Sequence, residues 1–154
     1  MSCLICERIN MIEKGINPYF VQELQTGFVV LADHQKYKGY TIFLCKMHVT
    51  ELHLLPYEYR KKHLEEMSVV AEAVYNVFIA DKMNHAMLGN QDSHIHWHLI
   101  PRINGDVPDK APIWSLPKEE LFKDSYRPSI EELNNMVHIL KCELDRLINL
   151  YNVN

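Results

Sequence analysis

Apolar and polar positions change period several times along this chain, and each change marks an element. Residues 4–14 read as a short helix closed by Gly15. Residues 19–24 and 28–32 read as two strands joined at Gln25-Thr26-Gly27, where a glycine suits the positive φ of a tight turn. Residues 40–45 form a third strand, and 49–55 a short helical stretch. A long helix follows over 57–81, with Leu64, Met67, Ala71, Val74 and Phe78 on one apolar stripe. Residues 83–88 and 95–101 are two further strands. Over 103–128 prolines recur and periodicity fades, so this segment reads as a structured loop or flap. Ser129 and Glu132 have the spacing of a capping box and open a last helix over 129–151. Its stripe of Ile130, Leu133, Val137, Leu140, Leu144, Leu147 and Tyr151 suits a core or a subunit contact. Strands and helices do not alternate strictly, which favours an α+β fold over a doubly wound sheet.

One strand carries chemistry. In His94-Ile95-His96-Trp97-His98, histidine occupies every second position. On a strand those side chains share a face, roughly 6–7 Å apart, while Ile95, Trp97 and Leu99 face a core. Isoleucine and tryptophan favour strands, and Pro101 offers a stop. A neutral imidazole can attack phosphorus, a second can donate to a phosphate oxygen, and a third can orient its neighbours. Alternate histidines can equally ligate zinc.

Composition narrows the partners. At 154 residues the chain is most simply one domain, 1–154, able to bury a core without staples. A net charge of −4 argues against broad binding to nucleic acid, though not against a local nucleotide pocket. No stretch is long and apolar enough to span a membrane, and Glu7 and Arg8 are unlike a signal peptide, so the expected compartment is the cytoplasm. There Cys3 and Cys6 are thiols or metal ligands rather than a disulfide. Cys45 and Cys142 have no partner pattern and read as buried thiols. His34, His53, His63, His85 and His138 belong to no motif.

The run His94-Ile95-His96-Trp97-His98-Leu99-Ile100 resembles the signature of the histidine triad (HIT) family, His-φ-His-φ-His-φ-φ with φ apolar, at all seven positions. Cys3-Leu4-Ile5-Cys6 is similar to the family's Cys-x-x-Cys opening. Segments 28–33 and 39–48 resemble its two central strands. Leu88-Gly89-Asn90-Gln91 and Ile100-Pro101-Arg102 resemble the branch that hydrolyses dinucleoside polyphosphates. The likeness spans roughly residues 1–115.

This resemblance implies an antiparallel five-stranded sheet with flanking helices, continued across a homodimer. It implies a nucleotide hydrolase acting on a purine nucleotide or dinucleoside polyphosphate such as diadenosine tetraphosphate. His96 would attack the α-phosphorus to form a nucleotidyl-histidine, His98 would contact phosphate and assist the leaving group, and His94 would orient them or bind metal. Asn90 and Gln91 would supply amides to phosphate, Asp33 would accept ribose hydroxyls, and Trp114 in the flap would stack on a second base or shield the phosphates. Ile5, Phe20 and Leu31 would face the first base. Zinc-bearing relatives imply a closed structural site of Cys3, Cys6, His48 and His94. Two departures stand out. Tyr40 replaces a supporting histidine common in relatives, and Cys45 replaces a proline before Lys46. Nucleoside phosphoramidate hydrolysis, or a weakly catalytic nucleotide-binding or interaction module, is the competing reading. A metal hydrolase using the histidine row as ligands fits less well, since no acidic motif sits beside the row.

Overall fold

A computed structural model describes residues 3–106 and 111–153. Residues 107–110 of the expected flap lie outside the described residues. Helix α1 (Leu4–Glu13) leads into strands β1 (Phe20–Glu23), β2 (Gly27–Leu31) and β3 (Thr41–Cys45). Helix α2 (Tyr57–Phe78) precedes β4 (Lys82–Ala86) and β5 (His96–Arg102). A short helix α3 (Lys118–Leu121) and the long α4 (Ile130–Tyr151) complete the chain. As expected, the strands form one five-stranded antiparallel sheet; its order is β1-β2-β3-β5-β4. No helix among the described residues is long and apolar enough to cross a membrane.

Strand alternation divides the molecule into layers. Val21, Val29, Leu31, Phe43 and Leu99 face α2 and α4, where Val70, Val74, Leu140, Leu144 and Leu147 complete the main core. Phe28, Val30 and Leu44 face the other way and pack under Ile5 of α1. Beside them, Tyr40 and Ile100 pack against Ile113 and Leu121 of the flap. The flap is therefore built of ordered pieces: two 3₁₀ turns, Ile113–Ser115 and Asp124–Tyr126, around α3. Arg102, 7% exposed, anchors it. Its guanidinium makes two bonds to Asp106 at 2.6 and 2.8 Å, one to Asn84 at 2.9 Å, and one across to the Ala111 carbonyl at 3.0 Å. A planar fork suits that divergent set of acceptors.

Several expectations need correction. Gly27 does not adopt a positive φ; it is required because the Phe43 ring lies 2.5 Å from where a Cβ would sit. Pro101 lies inside β5, opposite Met83. It is tolerated there because β3 pairs only as far as Leu99, so no neighbour on that side asks for its missing N–H. Helix α2 stops at Phe78, where Ile79 turns left-handed. Residues 49–55 contain only the turn Leu52–Leu54. Ile130 and Tyr151 are exposed rather than on the core stripe of α4, and Met136 joins that stripe. Cys142 is exposed beside His138; Cys45 is buried as expected. The capping box forms, with Ser129 N bonding Glu132 at 3.0 Å and Glu132 N bonding Ser129 Oγ at 3.2 Å.

Candidate active site

A cavity of about 580 Å³ lies between α1, the sheet and the flap. That volume suits a drug-sized or nucleotide-sized ligand. His96, His98, Asp33, Asn90, Gln91 and Trp114 all line it, as does Ile5. Phe20 does not; it packs edge-on against Phe28 at 6.5 Å. Leu31 borders the cavity, but the β2 side chain packed on that face is Val30, since Leu31 joins Val29 in the opposite layer.

The expected row of three imidazoles is a pair and an outlier. β5 begins at His96, so His94 lies before the pleated segment and leaves the row. His96 and His98 remain on the cavity face, their rings edge to face at 4.8 Å. Ile95 and Leu99 are buried behind them. His96 Nδ1 sits 2.7 Å from the His94 carbonyl oxygen. A carbonyl only accepts, so Nδ1 carries the hydrogen, and in the neutral ring Nε2 keeps its lone pair. His98 is flanked by the Trp114 ring at 5.2 Å and by the Tyr40 hydroxyl, 2.6 Å from Nδ1. Burial, reinforced by the neighbouring His96, pushes His98 down to about 4, so it is neutral at pH 7.

Other walls of the cavity carry residues that pattern alone did not single out. Arg8 on α1 donates to Asp33 Oδ2 at 2.5 Å, and Arg127 approaches the same oxygen at 3.8 Å. The carboxylate expected to hold a ribose is thus already oriented by two cations. Helical spacing could have placed Arg8 on the Ile5 face; nothing in the sequence ties Arg127 to it. On the flap side, His34 and Phe122 meet edge to face at 5.6 Å, and Lys118 also lines the cavity. Asn90 and Gln91 follow Gly89, whose φ of +69° turns the chain at the cavity rim.

His94 joins a second constellation. Its Nδ1 lies 3.5 Å from Cys6 Sγ and 3.6 Å from Cys3 Sγ, and His48 Nδ1 lies 3.0 Å from Cys6 Sγ. All four ligand atoms fall within 4.8 Å of one another. Tetrahedral zinc with Zn–S near 2.3 Å and Zn–N near 2.0 Å implies ligand separations of roughly 3.3–3.8 Å, so the set fits with small adjustments. The tautomer fits too. His94 Nε2 lies 2.8 Å from the Cys45 carbonyl and donates to it, which leaves Nδ1 unprotonated toward the sulfurs. Burial keeps His94 below its ordinary range, hence neutral. The residues Cys3, Cys6, His48 and His94 can therefore hold a metal; bound there, zinc would supply a closed structural crosslink and no reactive water.

A family model for the HIT domain matches residues 14–105. No curated protein matches the sequence. Among solved structures, the chain is similar to a histidine triad protein from Marinobacter aquaeolei VT8, at 26% identity over 83% of this chain and 89% of that one, with a TM-score of 0.72. It is similar in fold to a hypothetical histidine triad nucleotide-binding protein from Sulfolobus tokodaii strain 7, at 20% identity, 93% and 94% coverage and a TM-score of 0.70. A zinc-bound histidine triad family protein from Mycobacterium smegmatis matches at 24% identity, 97% and 98% coverage and a TM-score of 0.64.

Proposed function

Because this chain belongs to the HIT domain family, with its model spanning residues 14–105, we propose that it is a nucleotide hydrolase acting at the α-phosphorus of a dinucleoside polyphosphate. The observation that carries this reading is the bond from His96 Nδ1 to the His94 carbonyl, which supports a bare Nε2 on a residue lining the cavity. The Nε2 lone pair forms an N–P bond while the P–O bond to the departing phosphate breaks, and that oxygen leaves with the electron pair. Water then attacks phosphorus, the P–N bond breaks with its electrons returning to Nε2, and the proton of the water passes to solvent. His98, Asn90 and Gln91 donate to phosphate oxygens. Asp33, steadied by Arg8, accepts the ribose hydroxyls, and Trp114 covers the phosphates from the flap. Ile5 and Val30 face the first base. On the same reading the chain works as a homodimer with its sheet continued across two copies, and Cys3, Cys6, His48 and His94 hold a structural zinc.

The test is His96→Gly. Turnover of diadenosine tetraphosphate, followed by chromatography of the products, should fall by at least about 10⁴-fold, as expected for loss of a nucleophile. Affinity for a non-hydrolysable analogue, measured by calorimetry, should change less than about threefold, since a glycine removes no uniform binding contact of weight. Wild-type protein quenched during turnover should carry one nucleotidyl group on the peptide containing His96. Near-native turnover in the variant, or tight binding without turnover in the wild type, would remove this reading.

A further inference from the structure

Tyr40 stands where many relatives carry a supporting histidine, and its hydroxyl is placed on His98 rather than on His96. Tyr40 is 7% exposed, packed with Ala32, Tyr37, Ile100 and Ile113. Its oxygen is 2.6 Å from His98 Nδ1, a short contact that needs one hydrogen between the two atoms. Among the described residues the hydroxyl has no other hydrogen-bond partner. If Nδ1 held the hydrogen, the tyrosine's own hydrogen would be buried without a partner, which is unfavourable. The hydroxyl therefore donates, and the hydrogen of the imidazole lies on Nε2.

We propose that Tyr40 is a positioning residue that locks His98 as the neutral Nε2–H tautomer, and that this restricts the departing group to one that leaves as an anion, a phosphate or nucleotide phosphate, rather than an amine. The inference rests on the proposed reading that His96 attacks phosphorus. A phosphate leaving oxygen takes the electron pair of the breaking P–O bond and needs only a hydrogen bond from Nε2–H. An amine leaving a P–N bond must take a proton with the electron pair. Neutral His98 has no proton to release unless Tyr40 replaces it at Nδ1. That relay would create a buried tyrosinate, and burial holds the Tyr40 hydroxyl well above the ordinary tyrosine range. Among the described residues, those set directly against His98 are His96 on its own strand and Trp114, Ile42 and Ala86 from the flap and flanking strands, the last three uncharged.

The experiment compares diadenosine tetraphosphate with a nucleoside phosphoramidate of a primary amine, for wild type, Tyr40→Phe and Tyr40→His, with folding checked by melting curves. The wild type should favour the anhydride by about 100-fold or more in kcat, the scale of a missing general acid. Tyr40→Phe should lower kcat for the anhydride by about tenfold with KM nearly unchanged, because a mixed His98 tautomer weakens the Nε2–H bond to the charged leaving phosphate. It should leave the phosphoramidate rate where it was. Tyr40→His should restore the anhydride rate and raise the phosphoramidate rate, because an imidazole can both donate to Nδ1 and pass a proton on near pH 7. Two-bond ¹H–¹⁵N correlation of labelled protein should show His98 protonated at Nε2 in the wild type and a mixture of tautomers in Tyr40→Phe. A wild-type hydrogen on Nδ1, equal rates on the two substrates, or an unchanged preference in folded Tyr40→Phe would overturn the proposal. The tautomer assignment needs no turnover, so it stands or falls independently of the His96→Gly result.

Discussion

Behind the cavity, hydrogen bonds run in one direction through four buried or half-buried side chains. Trp97 Nε1 donates to His63 Nε2 at 3.2 Å, His63 Nδ1 donates to Thr26 Oγ1 at 3.0 Å, and the Thr26 hydroxyl donates to Glu66 Oε2. Glu66 also accepts the backbone N–H groups of Gln25 and Thr26 at 3.0 and 2.9 Å, so a carboxylate that is 1% exposed is fully engaged. Only neutral His63 satisfies this order; a second ring hydrogen would point at the indole N–H. Burial accordingly pushes His63 down to about 4. The sign follows from linkage. In the unfolded chain histidine titrates near 6.5, so as pH falls from about 6.5 to 4 the unfolded state binds the proton first and stability declines, then levels below about 4. The interval is worth on the order of 3 kcal/mol. His63→Gln can still accept from Trp97 and donate to Thr26 without titrating. Urea unfolding between pH 7.5 and 4 should show a smaller acid loss of stability in that variant, with His98, His94, His34 and His85, all lowered by burial, supplying the remainder. An identical slope in wild type and variant would refute the assignment.

At the level of elements, α1 is attached to β5 mainly through its first turn. Cys3 caps the helix, its Sγ accepting from Cys6 N at 3.5 Å, and both sulfurs face His94 just before β5. The same helix presents Ile5 and Arg8 to the cavity, so the metal-ligand set and the nucleotide wall share one short element. Replacing Cys3 and Cys6 by serine should abolish stoichiometric zinc, measured by elemental analysis, and lower the melting temperature by about 5 °C or more, the shift expected for a loss of around 2 kcal/mol in a domain of this size. In the fraction that remains folded, KM should rise more than kcat falls, because on the proposed reading α1 forms the wall and His96 the nucleophile. Wild type purified without zinc, with an unchanged melting temperature in the double variant, would discount the site. Most of this element plan was legible from periodicity, because alternation and three- or four-residue spacing report which face is apolar. The parts that were not legible have specific causes. His63 and Glu66 face the core from α2, and a hydrophobic stripe cannot reveal polar residues whose partners come from β5 and the β1–β2 turn. The departure of His94 from the histidine row depends on a carbonyl of β3 and on sulfurs 88 and 91 residues away. The flap looked irregular because its order comes from distant partners: Arg102 bonds Asp106 and the Ala111 carbonyl, and Ile113 and Leu121 pack on Tyr40 and Ile100.

For the whole molecule, the two edges of the sheet are unlike each other. β1 is four residues long, its register slips between Phe20 and Gln22, and Gln22 Nε2 bonds Asp145 of α4 at 2.8 Å. A bulged edge tied to a helix is a poor template for further pairing. β4 pairs with β5 through all five of its residues in unbroken register, and among the described residues no strand lies on its other side. At the end of α2, just before β4 in the chain, Tyr75 and Ile79 are 46% and 83% exposed, an apolar rim. A two-fold axis through β4 would pair each strand with its copy antiparallel, make one ten-stranded sheet, and bring the two rims together. The homodimer expected from the family resemblance therefore has one edge suited to it. Light scattering at micromolar concentration should give twice the chain mass of 18.1 kDa. Tyr75→Glu with Ile79→Asp places four like charges at that junction, two per copy, and should give the monomer mass with a far-ultraviolet spectrum unchanged, since both side chains already face solvent. A wild-type monomer, or a dimer indifferent to the double variant, would exclude assembly through β4. The cavity lies between α1, the sheet and the flap of one chain, with His96, His98, Tyr40 and Trp114 all in cis, so separating the copies should leave the tautomer of His98 as it was.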